Sequence, residues 1–249
     1  DNDGDMDIVS ASENDDKIAW YQNDGAANPA WTAANIATNV DGASSVFVAD
    51  MDNDGDMDIV SASLNDISIA WYENDGAANP TFTTHQNITV DGGFESVFAA
   101  DMDNDGDMDI VSASQDNDAI TWYENDGAAD PAFTAADIAT SADGAQSVFA
   151  ADMDNDGDMD IVSASADDDA IAWYENTTAA PGTPTFAAAD ISTGVSNASS
   201  VHTADMDNDG DLDILTSAEG SGRIYWLEND GAADPSFSLE TVTHSINGV

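Results

Sequence analysis

Apolar and polar positions along this chain fall in short runs bounded by turns, not in helical stripes. In the stretch 96–114, Ser-Val-Phe-Ala-Ala precedes an acidic loop, and Asp-Ile-Val-Ser-Ala-Ser follows it. No window sustains a 3.6-residue period, and β-branched and aromatic runs end at Asn-Asp-Gly or Asp-Gly. The pattern predicts four strands here, at 96–100, 109–114, 120–124 and 133 to about 140. The second and third strands are apolar or small on both faces, with Ile110 beside Val111 and Ile120 and Trp122 opposite Tyr123. Strands buried on two faces suit sheets stacked on neighbouring sheets.

The same unit recurs almost verbatim. Its leading acid falls at Asp50, Asp101, Asp152 and Asp205, spaced 51, 51 and 53 residues apart. Trp20, Trp71, Trp122, Trp173 and Trp226 keep the same spacings, as do Trp31, Phe82, Phe133, Phe186 and Phe237. The two extra residues lie between Trp173 and Phe186, in 176–182. Five units follow, at about 1–44, 45–95, 96–146, 147–199 and 200–249. Four strands in ~50 residues mark a β-propeller blade, whereas a β-solenoid uses shorter repeats. The expected fold is all-β: a propeller of about five four-stranded blades, or an open segment of a larger propeller or array.

The acidic loop carries the chemistry. It reads Asp-x-Asp-x-Asp-Gly-Asp-x-Asp, with acids at Asp50, Asp52, Asp54, Asp56 and Asp58; at Asp101, Asp103, Asp105, Asp107 and Asp109; at Asp152, Asp154, Asp156, Asp158 and Asp160; and at Asp205, Asp207, Asp209, Asp211 and Asp213. Counting the leading Asp as position one, carboxylates stand at one, three, five and nine, and Gly at six permits a sharp turn. Position seven can offer its backbone carbonyl. This is the ligand order of the first nine positions of an EF-hand loop. An EF-hand itself is not expected: position twelve is Ser61, Ser112, Ser163 or Thr216, and the flanks are strands. Oxygen-only ligation selects Ca²⁺ over Zn²⁺ or Cu²⁺. A solvated turn that binds nothing is disfavoured, since carboxylates ~4 to 5 Å apart repel by about 3 to 4 kcal/mol per pair at an effective dielectric of ~20. One Ca²⁺ per loop is expected, in a structural role. In the first loop Asp1, Asp3, Asp5 and Asp7 match positions three, five, seven and nine, and position one has no counterpart.

Charge narrows the partners. Acidic residues number 51 against two basic ones, Lys17 and Arg223, for a net charge of −49. Nucleic acids and anionic membrane surfaces need a basic face, so both are excluded. The loops hold 24 of the acids, and the rest sit on turns such as Asp116, Asp118 and 167–169. Such acidity suits a solvated exterior in salty or calcium-rich surroundings. With 42% apolar residues the chain is not a disordered acidic tail. It has no cysteine and no apolar run of ~18 residues. It also begins without Met or a signal-like segment, so an excised or processed piece is expected.

These residues resemble the FG-GAP and VCBS repeat families, which include the blades of integrin α-subunit propellers. The matching motif is Asp-x-Asp-x-Asp-Gly-x-x-Asp, preceded by a strand such as Ser-Val-Phe-Ala-Ala and followed by Ile-Val-Ser-Ala; it is cut short in the first unit, and the resemblance covers all five. The resemblance implies a propeller, Ca²⁺ held by the loop aspartates, and an extracellular role in adhesion, carbohydrate binding or scaffolding. The Phe-Gly and Gly-Ala-Pro signature of the integrin type is missing, so the VCBS branch fits better. Family propellers often have seven or eight blades, where this chain has five units.

No catalytic constellation is expected. His85, His202 and His244 share no repeat position and read as surface or strand-filling residues. The Trp set reads as packing between blades, with sugar stacking in a lectin as the alternative. Lys17 and Arg223 share one repeat position and read as snorkelling strand residues, either of which could pair with an acidic neighbour. The sequons at Asn87, Asn176 and Asn197 are weak signals. The reading is an extracellular structural or adhesive module with a protein or glycan ligand. Its alternatives are a lectin-like propeller and a non-catalytic accessory domain of a secreted polysaccharide-active enzyme. The segment 247–249 aligns with 41–43, just before an inner strand. The unpaired edge expected at that seam would favour self-association into a fibre or layer.

Overall fold

The computed structural model describes residues 1–85, 88–89, 92–178 and 182–242. His244, Asn87 of its sequon, residues 179–181 of the insertion and the seam at 247–249 lie outside the described residues. Every element among those described is a strand.

The alternation read above forms five antiparallel sheets in chain order. The first is β1 (Ile8–Ser12), β2 (Lys17–Asn23) and β3 (Trp31–Ala37). The second holds β4 (Ala43–Ala49), β5 (Asp58–Ser63), β6 (Ser68–Asn74), β7 (Phe82–Thr84) and β8 (Ile88–Thr89), with β7 and β8 both pairing with β6. The third is β9 (Ser96–Ala100), β10 (Asp109–Ser114), β11 (Ala119–Asn125) and β12 (Phe133–Ala139). The fourth runs through β13 (Ala145–Ala151), β14 (Asp160–Ser165), β15 (Ala170–Asn176) and β16 (Phe186–Ser192). The fifth runs through β17 (Ala198–Ala204), β18 (Asp213–Ala218), β19 (Arg223–Asn229) and β20 (Phe237–Thr241). The four strands expected in 96–140 appear to within one residue at each end. Among the described residues the first sheet has three strands, with no counterpart of the inner strands β4, β9, β13 and β17.

Each of the three middle sheets is a layer sandwiched between two others, which explains its two apolar faces. Strand alternation sends Val111, Ile120 and Trp122 forward against Val148, Ile161 and Tyr174 of the fourth sheet. Ile110 and Tyr123 point backward onto Met51, Val60, Ile69 and Trp71 of the second. The same exchange recurs one step on, where Leu227 takes the place of the tyrosine. Trp71, Trp122 and Trp173 are therefore packing residues, as their repeat position suggested. Met51, Met102 and Met153, at loop position two, are fully buried in these junctions. At the first junction a 410 Å³ apolar pocket lined by Val9, Trp20, Met57, Ile59 and Phe82 lies in the corresponding place.

The principal contacts between sheets run in series, β1 on β4, β4 on β9, β9 on β13 and β13 on β17. Along these inner strands Phe47, Phe98, Phe149 and His202 form a ladder of rings with centroids 4.3, 4.5 and 4.8 Å apart. Hydroxyls lock neighbouring inner strands in register, as when Val97 N donates to Ser45 Oγ at 3.3 Å and Val201 N to Ser147 Oγ at 3.2 Å. Because each junction core is small, Ile120→Val is expected to cost about 1 kcal/mol, lowering the thermal midpoint by ~2 to 4 °C. Calorimetry against the wild type checks this.

Candidate metal centres

Each complete loop joins an inner strand to the second strand of its sheet, and its shape is set by its own carboxylates. In the third sheet, Asp101 Oδ1 accepts from Asp105 N at 3.1 Å and Asp101 Oδ2 from Gly106 N at 3.0 Å. Asp103 Oδ1 also accepts from Asp105 N, and Asp105 Oδ1 accepts from Asp107 N at 2.9 Å. Gly106 holds φ +98°, a conformation an L side chain rarely adopts, which is why position six is glycine in every loop.

Position nine is the deepest acid. Asp58, Asp109, Asp160 and Asp213 are buried at the start of their strands. Asp109 Oδ1 accepts from Asn125 N at 2.8 Å, and its Oδ2 from Met102 N at 3.1 Å and Trp122 Nε1 at 2.9 Å. Trp71, Trp173 and Trp226 keep their indole N–H buried without a partner at hydrogen-bonding distance. Burial pushes the Asp58 carboxyl up to about 6 and those of Asp109 and Asp160 up to about 7, against the backbone N–H bonds that lower them. Burial, with Asp105 next and Asp101 and Glu124 behind it, raises Asp103 to about 6.

These acids converge. One oxygen from each of Asp50, Asp52 and Asp58 lies within 4.8 Å of the others. The same holds for Asp101, Asp103 and Asp105, for Asp152, Asp154 and Asp156, and for Asp205, Asp207 and Asp213. Each complete loop thus has three carboxylates that could hold a metal ion. No ammonium or guanidinium offsets them: Lys17 is paired with Asp15 at 3.9 Å, and Arg223 begins the strand β19. The donor set is all oxygen and hard, which fits a divalent cation of the Ca²⁺ type.

The first loop is arranged differently. Asp1, Asp3 and Asp5 form no such group among the described residues, and Asp7 accepts from Trp20 Nε1 at 3.0 Å and Asn23 N at 2.8 Å. In four loops the position-seven side chain lies against a neighbouring glycine turn and is not among the convergent carboxylates. A Cβ on Gly25, Gly76, Gly127 or Gly231 would meet Oδ2 of Asp5, Asp56, Asp107 or Asp211 at 2.0–2.2 Å. That side chain therefore packs on a neighbouring turn, leaving the backbone carbonyl as the group position seven can offer.

The motif did not point to a further acid. Glu73, Glu124 and Glu175, near the end of the third strand, act electrostatically on Asp52, Asp103 and Asp154. In the first sheet the equivalent Gln22 reaches Asp1, Nε2 to Oδ2 at 2.5 Å. The signal was present in the Trp-Tyr-Glu of the three middle units, but its distance in sequence from the loop concealed it. His85 directly follows β7, stacking on Trp71 with centroids 4.1 Å apart between Glu73 (2.5 Å) and Asp130 (3.0 Å). Asn176 is buried and bonded to two carbonyls, so that sequon is a structural residue.

A model of FG-GAP-like repeats matches 1–61, 50–112, 101–163 and 154–216. The chain belongs to the FG-GAP-like repeat family. No curated protein matches it in sequence. Solved structures similar to it have propeller-type folds. An Agrocybe aegerita lectin that recognises non-reducing terminal N-acetylglucosamine is 20% identical with a TM-score of 0.63, over 98% of this chain and 64% of the lectin. A Lactobacillus plantarum protein is 15% identical with a TM-score of 0.66, over 97% and 68%. Virginiamycin B lyase from Staphylococcus aureus is 10% identical with a TM-score of 0.62, over 98% and 68%. The FG-GAP chain thus spans about two thirds of the length of these structures, and the likeness is one of fold.

Proposed function

We propose that this FG-GAP repeat chain is a Ca²⁺-loaded propeller module that acts outside the cell as a structural or adhesive element. The carrying observation is the repeated convergence of three carboxylates, each group holding at least one that is buried or partly buried, with no cationic side chain beside them. Unloaded, each group is a concentration of like charge; a divalent cation turns that repulsion into a clamp between two strands. Asp50, Asp52, Asp54 and Asp58, with the carbonyl of Asp56, would hold the ion in the second sheet, and the equivalent residues would do so in the next three. Extracellular Ca²⁺ is abundant enough for sites in the 10⁻⁴ to 10⁻³ M class of extracellular modules. The module contributes rigidity and display, binding its partner through loops and edges.

A carbohydrate partner is a second reading, favoured by clefts that recur where adjacent sheets meet. They measure about 290 Å³ beside Val40 and Tyr72, 440 Å³ beside Phe94 and Tyr123, and 230 Å³ beside Ala142 and Tyr174. Tyrosine and alanine line each one, with Asp66, Asp137 or Asp190 at hand to accept from hydroxyls. The neighbouring lectin adds weight to this reading.

Equilibrium dialysis against millimolar Ca²⁺ is expected to give at least four bound ions per chain, with Mg²⁺ a poor competitor. A stoichiometry near zero would remove the metal reading. A glycan array at fixed Ca²⁺ tests the second reading: signal abolished by Tyr123→Phe or Asp137→Ala supports the clefts, and a blank array leaves protein adhesion as the partner chemistry.

A further inference from the structure

The loops are not isolated from one another. At position four stands Asn53, Asn104 or Asn155, each in the left-handed region with φ of 59, 59 and 63°. Its side chain leaves its own loop and reaches position seven of the loop in the next sheet. Asn53 Nδ2 donates to Asp107 Oδ1 at 2.5 Å, Asn104 donates to Asp158, and Asn155 Nδ2 donates to Asp211 Oδ1 at 2.9 Å. Asn2 and Asp56 make the same bond at the first junction.

A second tie runs the opposite way. Asn125 Nδ2 donates to Met51 O of the preceding sheet's loop at 2.9 Å, Asn176 to Met102 O at 3.0 Å and Asn229 to Met153 O at 2.9 Å. Positions two and four flank position three, so Asp52, Asp103 and Asp154 are each bracketed by two bonds into the next sheet. At the far end, the accepting acid lies between positions five and nine of its own loop.

We infer that cation binding is coupled from loop to loop along the propeller, and that Asn53, Asn104 and Asn155 are the coupling residues. The inference rests on the metal reading above. A cation that orders one loop fixes the backbone at positions two to four. That fixes the donor, which fixes position seven of the next loop, whose carbonyl is among the groups offered to the next cation. The second ion therefore meets a loop already ordered and binds more tightly; loss of one ion loosens both neighbours. Coupled neighbours of this kind typically change each other's affinity by ~5-fold or more.

Backbone shape alone offers a competing account, because asparagine adopts positive φ more readily than most residues. Glycine separates the two accounts, since it keeps the left-handed backbone and removes the donor. Calorimetric Ca²⁺ titration of the wild type is expected to be cooperative, with a Hill coefficient above 1.5. In the triple variant N53G/N104G/N155G the number of ions is expected to hold while the Hill coefficient falls to about 1. The single variant N104G should give an intermediate value, and N104Q, with a longer side chain but the same amide, should restore part of the loss. Independent binding by the wild type, or cooperativity retained in the triple variant with its stoichiometry intact, overturns the coupling and leaves the metal reading standing. No bound Ca²⁺ in the wild type overturns both.

Discussion

Excess chelator is expected to lower the thermal midpoint of this protein by ~20 °C or more, and to do so reversibly on return of Ca²⁺. An ion that binds only the folded state adds ~2.7 kcal/mol when its concentration is 100 times its dissociation constant. Four such sites contribute about 11 kcal/mol, comparable to the whole stability of an ordinary domain at ~5 to 15 kcal/mol. For a chain of this size each kcal/mol is worth ~2 to 4 °C. Nothing else in the molecule can substitute for the ions, because only Lys17 and Arg223 carry side-chain positive charge against 51 acids. Circular dichroism melts with and without chelator, at constant ionic strength, check this. An unchanged midpoint would refute the structural role of the loops.

Added NaCl should recover only part of that loss. A diffuse ion cloud screens exposed acids such as Asp66 and Asp116, since the Debye length is ~10 Å at 0.1 M. It screens poorly at Asp58, Asp109 and Asp160, which are almost fully buried.

The fold was legible because its local and tertiary patterns agree in nearly every unit. Ile110 and Val111 are adjacent and both apolar, which only a strand buried on two faces requires, and the structure places them in two different junctions. The loops were legible because their chemistry is consecutive in sequence. What escaped was whatever lies across a junction. Asn53 and Asp107 are 54 positions apart, and the asparagine has a sufficient local explanation in its positive φ. The second sheet concealed itself in another way. Its spacing of 51 matches its neighbours, yet Phe82 to Ile88 is six residues where Phe133 to Ile138 is five. One extra residue cannot stay in a regular ladder, and the fourth strand divides into β7 and β8. Shortening before Phe94 restores the count, so the constant period masked the change.

The pH dependence of stability is expected to reverse sign between the chelated and the Ca²⁺-loaded protein. In chelator, Asp58, Asp109 and Asp160 are raised by burial to about 6, 7 and 7, above the ordinary carboxylate value near 4. The folded state then binds more protons than the unfolded state between pH ~4 and ~7. Stability is fully gained below the unfolded value and lost as pH rises through the folded ones. The gain is on the order of 3 kcal/mol across the three groups once partial solvent screening is allowed for. Relief of repulsion among the other acids acts in the same direction. With Ca²⁺ bound, the ion favours the ionised carboxylates and depresses their folded values below the unfolded ones. Stability is then present at neutral pH and is lost as pH falls and protons displace the ion. Midpoints measured from pH 7.5 to pH 5 should therefore rise by ~6 to 12 °C in chelator and fall in millimolar Ca²⁺. Parallel profiles would mean that the ions do not engage the buried aspartates, and that the charge at position nine is compensated in some other way.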